Sequence, residues 1–169
     1  MLSPKGASFL YARKDLQAIL DPLVVSWGYK SDPGFGSGNQ FIDYHEWQGT
    51  RDLAAFLSVP AAIEYMAHNQ WDEVRADCHQ LAAYACLEVN ALTGLTSICP
   101  EGKDWFGQMV AIRLPDVDTK GLQTELYDRY QIEVPLMRWQ GQPLIRVSIQ
   151  EYNTQADVEK LMRGLANLL

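Results

Sequence analysis

No apolar run in this chain approaches the roughly 18–20 residues that a membrane-crossing helix needs, so no spanning segment is expected. The start, Met1-Leu2-Ser3-Pro4-Lys5-Gly6, has neither the basic nor the apolar part of a secretory signal. Positive charge is scarce too. The 14 Lys and Arg against 21 Asp and Glu leave a formal net charge of −7, and the cations are scattered from Lys5 to Arg163. Nucleic-acid and anionic-membrane surfaces need clustered Lys and Arg, so neither partner is expected. The three cysteines, Cys78, Cys86 and Cys99, are an odd set without a CxxC pair. They read as small buried side chains in a reduced compartment, and the expected location is cytoplasmic. His45, His68 and His79 lack metal-ligand spacing, so no metal site is expected. GxSxG, Walker and GxGxxG patterns are absent, and Gly34-Phe35-Gly36-Ser37-Gly38 neither follows a clear strand nor opens a helix.

What is present is enough for a packed core: 47% of residues are hydrophobic and 21% charged. At 169 residues the chain is the size of one domain, or of a small domain with a remnant of another. Residues 7–13 (ASFLYAR) read as a short strand, 14–20 as a helical turn, and 23–27 as an apolar, extended run. Residues 28–40 read as a long Gly- and Ser-rich loop. Helices are expected over 51–57 and 60–69, with Pro60 in the first turn of the second, where its missing N–H costs nothing. The clearest helix covers 70–92, where Trp71, Val74, Cys78, Leu81, Ala85, Val89 and Leu92 recur at threes and fours.

Beyond it, 108–114 reads as a strand and 119–130 as a helix, with Leu122, Leu126 and Tyr130 on one face. Strands at 132–136 and 144–149 flank the turn Gln140-Gly141-Gln142-Pro143, and a last helix opens on a capping box of Thr154 and Asp157. This pattern defines an α+β fold: a small antiparallel or mixed sheet with helices on one face, preceded by a long linking helix. The expected division is 1–69 and 70–169.

Two segments can carry chemistry. In Gln48-Gly49-Thr50-Arg51-Asp52 a Gly-Thr pair precedes an expected helix, where free N–H groups and the Thr hydroxyl could hold a phosphate. The plainer reading is that Thr50 caps that helix. In Ile145-Arg146-Val147-Ser148, alternation places Arg146 and Ser148 on the face opposite Ile145 and Val147. Its guanidinium could clamp a carboxylate through two parallel hydrogen bonds, or lie on the solvent face of an edge strand. Of the histidines, only His45, among Tyr44 and Trp47, is of interest.

Taken together these segments resemble a known family. Ser3-Pro4-Lys5-Gly6-Ala7-Ser8-Phe9-Leu10-Tyr11 resembles the Pro-Lys-Gly turn and strand of class V aminotransferase-type enzymes, which use pyridoxal phosphate (PLP) and have PLP fold type I. His45-Glu46-Trp47-Gln48-Gly49-Thr50-Arg51-Asp52 followed by Pro60-Ala61-Ala62-Ile63 resembles the family's Gly-Thr segment and following helix. Ile145-Arg146-Val147-Ser148 with Tyr152-Asn153-Thr154 and Asp157 resembles its carboxy-terminal signature. Within the family, Tyr130-Gln131-Ile132-Glu133-Val134-Pro135, Trp139-Gln140-Gly141 and Pro143-Leu144-Ile145-Arg146 are similar to the isopenicillin N epimerase-like branch. Cysteine desulfurases of the family carry a reactive cysteine before the arginine; residues 131–144 hold none.

The resemblance implies that 1–69 is a remnant of the PLP-binding large domain with its linker, and that 70–169 is the carboxy-terminal small domain. It implies that Arg146 binds the substrate carboxylate, and that Gly49 and Thr50 contact the PLP phosphate of the partner subunit in a dimer. Lys5 matches the Pro-Lys-Gly lysine, and the lysine that carries the cofactor would fall a few residues before Met1. No catalytic group is therefore expected in this chain. PLP is expected in the complete enzyme, an epimerase, lyase or aminotransferase acting on an amino acid or small peptide, and none bound to this chain alone. A separate large-domain polypeptide is a further candidate partner. The alternative is a non-catalytic interaction or regulatory domain that keeps the small-domain fold.

Overall fold

The structure, a computed structural model, describes residues 2–30, 32, 34 and 36–169. The chain divides into two compact units, Met1–Asn69 and Gln70–Leu169.

The first unit holds a 3-10 turn, Lys14–Ile19, and three helices: α1 (Gln40–Glu46), α2 (Ala54–Leu57) and α3 (Val59–His68). Asn39 starts α1 by accepting hydrogen bonds from the N–H groups of Phe41 (3.0 Å) and Ile42 (3.4 Å). Asp43, on α1, accepts the Ser37 N–H at 2.9 Å and so folds the preceding loop back onto its own helix. Gly28 belongs to the same contact. A Cβ there would lie 1.8 Å from the Asp43 carbonyl oxygen, so only glycine permits this approach. The expected loop over 28–40 therefore ends on a helix that the residue pattern did not reveal, and positions 31, 33 and 35 of it lie outside the described residues.

Residues 7–13 do not form the expected strand. The segment is irregular, with Phe9 and Tyr11 about four-fifths exposed. A strand needs a neighbour to take its N–H and C=O groups, and none of the described strands lies in this unit. The run 23–27 is likewise exposed. Among the described residues of this unit only Gly28 and Asp43 are buried, so it has no buried apolar side chain.

The second unit is built on α4 (Trp71–Thr93), β1 (Met109–Arg113), α5 (Thr119–Tyr130), β2 (Leu136–Trp139), β3 (Gln142–Ser148) and α6 (Gln155–Leu168). The sheet is wholly antiparallel, in the order β1-β3-β2. The fold is thus α+β, with a small sheet and helices packed on one face.

The helix ends follow the sequence. Gly94 takes the left-handed conformation (φ +70°) and returns its N–H to Asn90 O at 2.8 Å, which stops α4. Gln131 does the same for α5 at φ +52°, an unfavourable conformation for a residue with a Cβ, and Ile132 N–H closes the motif on Leu126 O at 3.0 Å. At α6 the Asp157 carboxylate accepts the Thr154 N–H at 2.8 Å and its hydroxyl at 3.2 Å, as the sequence pattern predicts.

The β2–β3 hairpin turns on Gln140 (φ +49°) and Gly141 (φ +81°), a two-residue turn whose positive φ values match the twist of the strands. The earlier of its strands is displaced from expectation. Residues 132–135 are irregular and β2 begins only at Leu136, although Val134 is buried. Pro135 has no N–H to give a ladder and marks that boundary.

Val110, Ile112, Ile145 and Val147 point to the helix side and share one core with Cys78, Ala82, Ala85, Cys86 and Val89 of α4, Leu122 and Leu126 of α5, and Leu161 and Leu165 of α6. Each fully buried member, such as Ile112, Ile145 or Leu165, contributes about 1.5–3 kcal/mol by leaving water. The buried face of α4 differs slightly from the predicted stripe: Ala82 and Cys86 are in it, and Leu92 is 39% exposed.

Candidate functional site

Arg146 lies in β3, the central strand, so the reading of an edge-strand arginine is corrected. Its backbone N–H donates to Pro135 O at 3.0 Å, and across the ladder it pairs with Ala111 of β1. Its side chain leaves from the face without helices, together with Leu144 and Ser148 of β3, Ala111 and Arg113 of β1, and Met137 of β2, as the register requires. Leu144 is 5% exposed yet stands outside the helix-side core, so this face has an apolar floor of its own.

The guanidinium of Arg146 makes no hydrogen bond or ion pair with the described residues, and its Nε is buried without a partner. Leaving a charged donor buried and unsatisfied costs free energy that a structural role does not explain. Among the other arginines of this unit, Arg163, exposed on α6, has no ion pair with the described residues, but three are paired. Arg75, Arg129 and Arg138 are paired with Asp72, Glu125 and Asp116, at 3.1, 3.0 and 2.7 Å. Arg113 has no acidic partner among the described residues; its Nη1 donates to the Thr96 hydroxyl at 3.2 Å. Sequence reading passed over Arg113, and only the antiparallel register places it beside Arg146.

Gly49 and Thr50 lie in the first unit, in an exposed bend between α1 and α2. The expected helix start at residue 51 is overturned: α2 begins at Ala54, and its first N–H is taken by the Asp52 carboxylate at 2.8 Å. Thr50 therefore caps no helix, and no helix dipole acts on this bend. Gly49 is at φ +101°, which favours glycine. No described residue takes up the Gly49 or Thr50 N–H, or the Thr50 hydroxyl. Arg51 braces the bend by donating to Gln48 Oε1 (3.2 Å) and Glu46 O (3.4 Å) while lying 4.6 Å from the Phe56 ring centre. Unspent N–H groups at a positive-φ turn, with a hydroxyl and a guanidinium close by, suit an oxyanion. Gly49 and Thr50 are thus the groups that could hold a phosphate here, without the helix that the sequence suggested.

A cavity of about 650 Å³ in the same unit is lined by Phe9, Phe41, His45, Trp47, Arg51 and Phe56 among others. His45 places Nδ1 2.8 Å from Phe41 O, so Nδ1–H donates to that carbonyl.

The cysteines are poorly placed for reaction. Cys78 and Cys86 are buried on α4, Cys99 is half-buried in the loop after it, and burial pushes the Cys78 thiol up, away from the reactive thiolate. No group of three or more metal-ligating side chains occurs among the described residues, and none of their helices is long and apolar enough to cross a membrane.

The second unit is thus a three-stranded antiparallel sheet backed by helices, with an arginine on its free face that no described residue engages. The family model for aminotransferase class-V matches residues 1–161, and the chain belongs to that family. Two similar relatives are isopenicillin N epimerases. The one from Amycolatopsis lactamdurans is 38% identical over 99% of this chain and 44% of its own length; the one from Streptomyces clavuligerus is 29% identical over 98% and 44%. Among solved structures, the cysteine desulfurase CsdA from Escherichia coli superposes with a TM-score of 0.72 over 99% of this chain and 44% of its own, at 20% identity, which supports the fold. The chain thus spans somewhat under half the length of the relatives it matches.

Proposed function

We propose that these 169 residues are the carboxy-terminal portion of a PLP-dependent, isopenicillin N epimerase-type enzyme acting on an amino acid or small peptide. The observation that carries this reading is the unspent guanidinium of Arg146 on the helix-free face of the sheet. In this reading Arg146 receives the substrate carboxylate through two parallel hydrogen bonds and so fixes the direction of the α C–H bond. Gly49 and Thr50 offer their N–H groups and hydroxyl to the cofactor phosphate of the partner subunit in a dimer. PLP, when bound, supplies an electron sink for the α-carbon. Binding and orientation are what this chain adds.

The lysine that carries the cofactor and moves the proton lies, in this reading, outside these residues, and the chain alone is inactive. Residues 1–69 are assigned to the large PLP-binding domain and its linker, and 70–169 to the small domain. The lack of any buried apolar side chain among the described residues of the first unit supports that assignment, because exposed side chains such as Phe9, Tyr11 and Trp27 then have more of a large domain to pack on. The enzyme is assigned to the cytoplasm, and a separate large-domain polypeptide is a candidate partner.

Epimerase-type chemistry is favoured over desulfuration. Residues 131–144 contain no cysteine, and Cys78 and Cys86 are packed in the core.

Incubation with PLP, borohydride reduction and peptide mass spectrometry test this reading. The expected result is no stoichiometric adduct on any lysine of the chain. A stoichiometric adduct on one lysine, Lys5 above all, overturns it.

A further inference from the structure

We propose that Arg113 is a second anion position beside Arg146, so that the ligand of this face carries two carboxylates or equivalent anions. The inference rests on the carboxylate role of Arg146 proposed above. In the β1–β3 ladder Ala111 pairs with Arg146 and Arg113 with Leu144. The two arginines are therefore diagonal neighbours on one face, with backbones about 7–8 Å apart. Between them the register leaves Ala111 and Leu144, an alanine and an aliphatic floor rather than an acid.

Two cations at this spacing repel unless something anionic lies between or upon them. Neither is compensated by an acid among the described residues, while Arg75, Arg129 and Arg138 of the same unit are. Arg163, also without an acidic partner, lies exposed on α6, whereas Arg146 and Arg113 share one face of the sheet. Arg113 has one neutral partner, the Thr96 hydroxyl, which takes Nη1 and leaves its other N–H groups to be used. That tether belongs to the loop after α4, and β1 is an edge strand, whereas Arg146 stands on the central one. The two side chains thus start from different strands and Arg113 is tethered to that loop, which suits two anionic groups joined by a short aliphatic chain better than one anion shared by both. The substrate class follows: an amino acid or peptide with an anionic group at each end.

The test uses the 169-residue chain labelled with ¹⁵N at arginine, titrated with butyrate and with glutarate while the Nε–Hε signals are followed. Butyrate should move Arg146 alone. Glutarate should move both arginines and bind about tenfold more tightly, the scale of one added charge-assisted hydrogen-bonded pair. Arg113→Gln should abolish the advantage of glutarate over butyrate, and Arg113→Lys should restore part of it. Equal affinity for the two acids, an advantage that survives Arg113→Gln, or butyrate moving both signals overturns the second position and leaves the clamp standing. If butyrate moves no arginine in the folded chain, the clamp fails and the second position with it.

Discussion

The N–H of Arg146 donates to the Pro135 carbonyl at 3.0 Å, one residue before β2 begins. That bond ties the arginine to Glu133-Val134-Pro135, a segment with an irregular backbone but a buried Val134. The backbone of Arg146 is thus held on both sides, by β1 through Ala111 and by the Pro135 carbonyl. Rigid strand placement of this kind keeps a binding group in position.

Arg146→Met should change the stability of the chain by no more than about 1 kcal/mol, since it removes a half-buried guanidinium whose Nε has no partner and keeps an apolar stem. Thermal unfolding of the two proteins checks this. In the complete enzyme the same change should cost about 10- to 100-fold in substrate affinity, through the lost charge-assisted pair.

At the bend, Thr50→Ala and Asp52→Ala should behave differently. Asp52 accepts the Ala54 N–H, so its loss should destabilise α2 locally by about 0.5–2 kcal/mol, visible as faster amide exchange at Ala54. Thr50→Ala should leave that exchange rate unchanged, because Thr50 caps nothing.

Asp157 gives a pH dependence of known sign. The Thr154 N–H, then its hydroxyl, hold the carboxylate below its ordinary value of 3.8. The folded state therefore binds this proton less readily than the unfolded one. The stability it adds is fully present above the unfolded value and is lost as pH falls through the lower, folded value. Urea unfolding between pH 6 and pH 2, as rough bounds around the carboxylate range, should show a smaller acid loss in Asp157→Asn than in the natural chain.

Gly164 lies where α6 meets α5. A Cβ there would stand 2.9 Å from Leu126 Cδ2 and 3.4 Å from the Tyr130 ring. Gly164→Leu should force the helices apart and cost about 1–3 kcal/mol, despite the better helix propensity of leucine, as denaturant unfolding would measure.

How much could be read from the residues differs between the two units. In the second, α4, α5 and α6 follow their apolar spacing closely, and Thr154, Asp157 and Gly141 announce their own local geometry. What spacing could not give is pairing: that β3 is central, and that Arg113 becomes a diagonal neighbour of Arg146, depends on the strand order. The shift of β2 to Leu136 has a similar cause, since the run before it is apolar because Val134 is buried, and not because it is paired. In the first unit, residues 7–13 read as a strand, but none of the described strands lies in that unit to pair with it. Asn39 carried a readable cap signal for α1, hidden in a Gly-rich stretch. Asp52 took the capping role that Thr50 seemed suited to, because the helix starts three residues later than expected.

The most direct test of the central claim is the response of the Arg146 Nε–Hε signal to a simple carboxylate such as acetate, in the folded chain at constant ionic strength. A saturable shift at Arg146, with Arg138, already paired to Asp116, left in place, is the predicted result. An Arg146 signal that stays fixed, or that moves no more than Arg138, contradicts the assignment of this face as a carboxylate site.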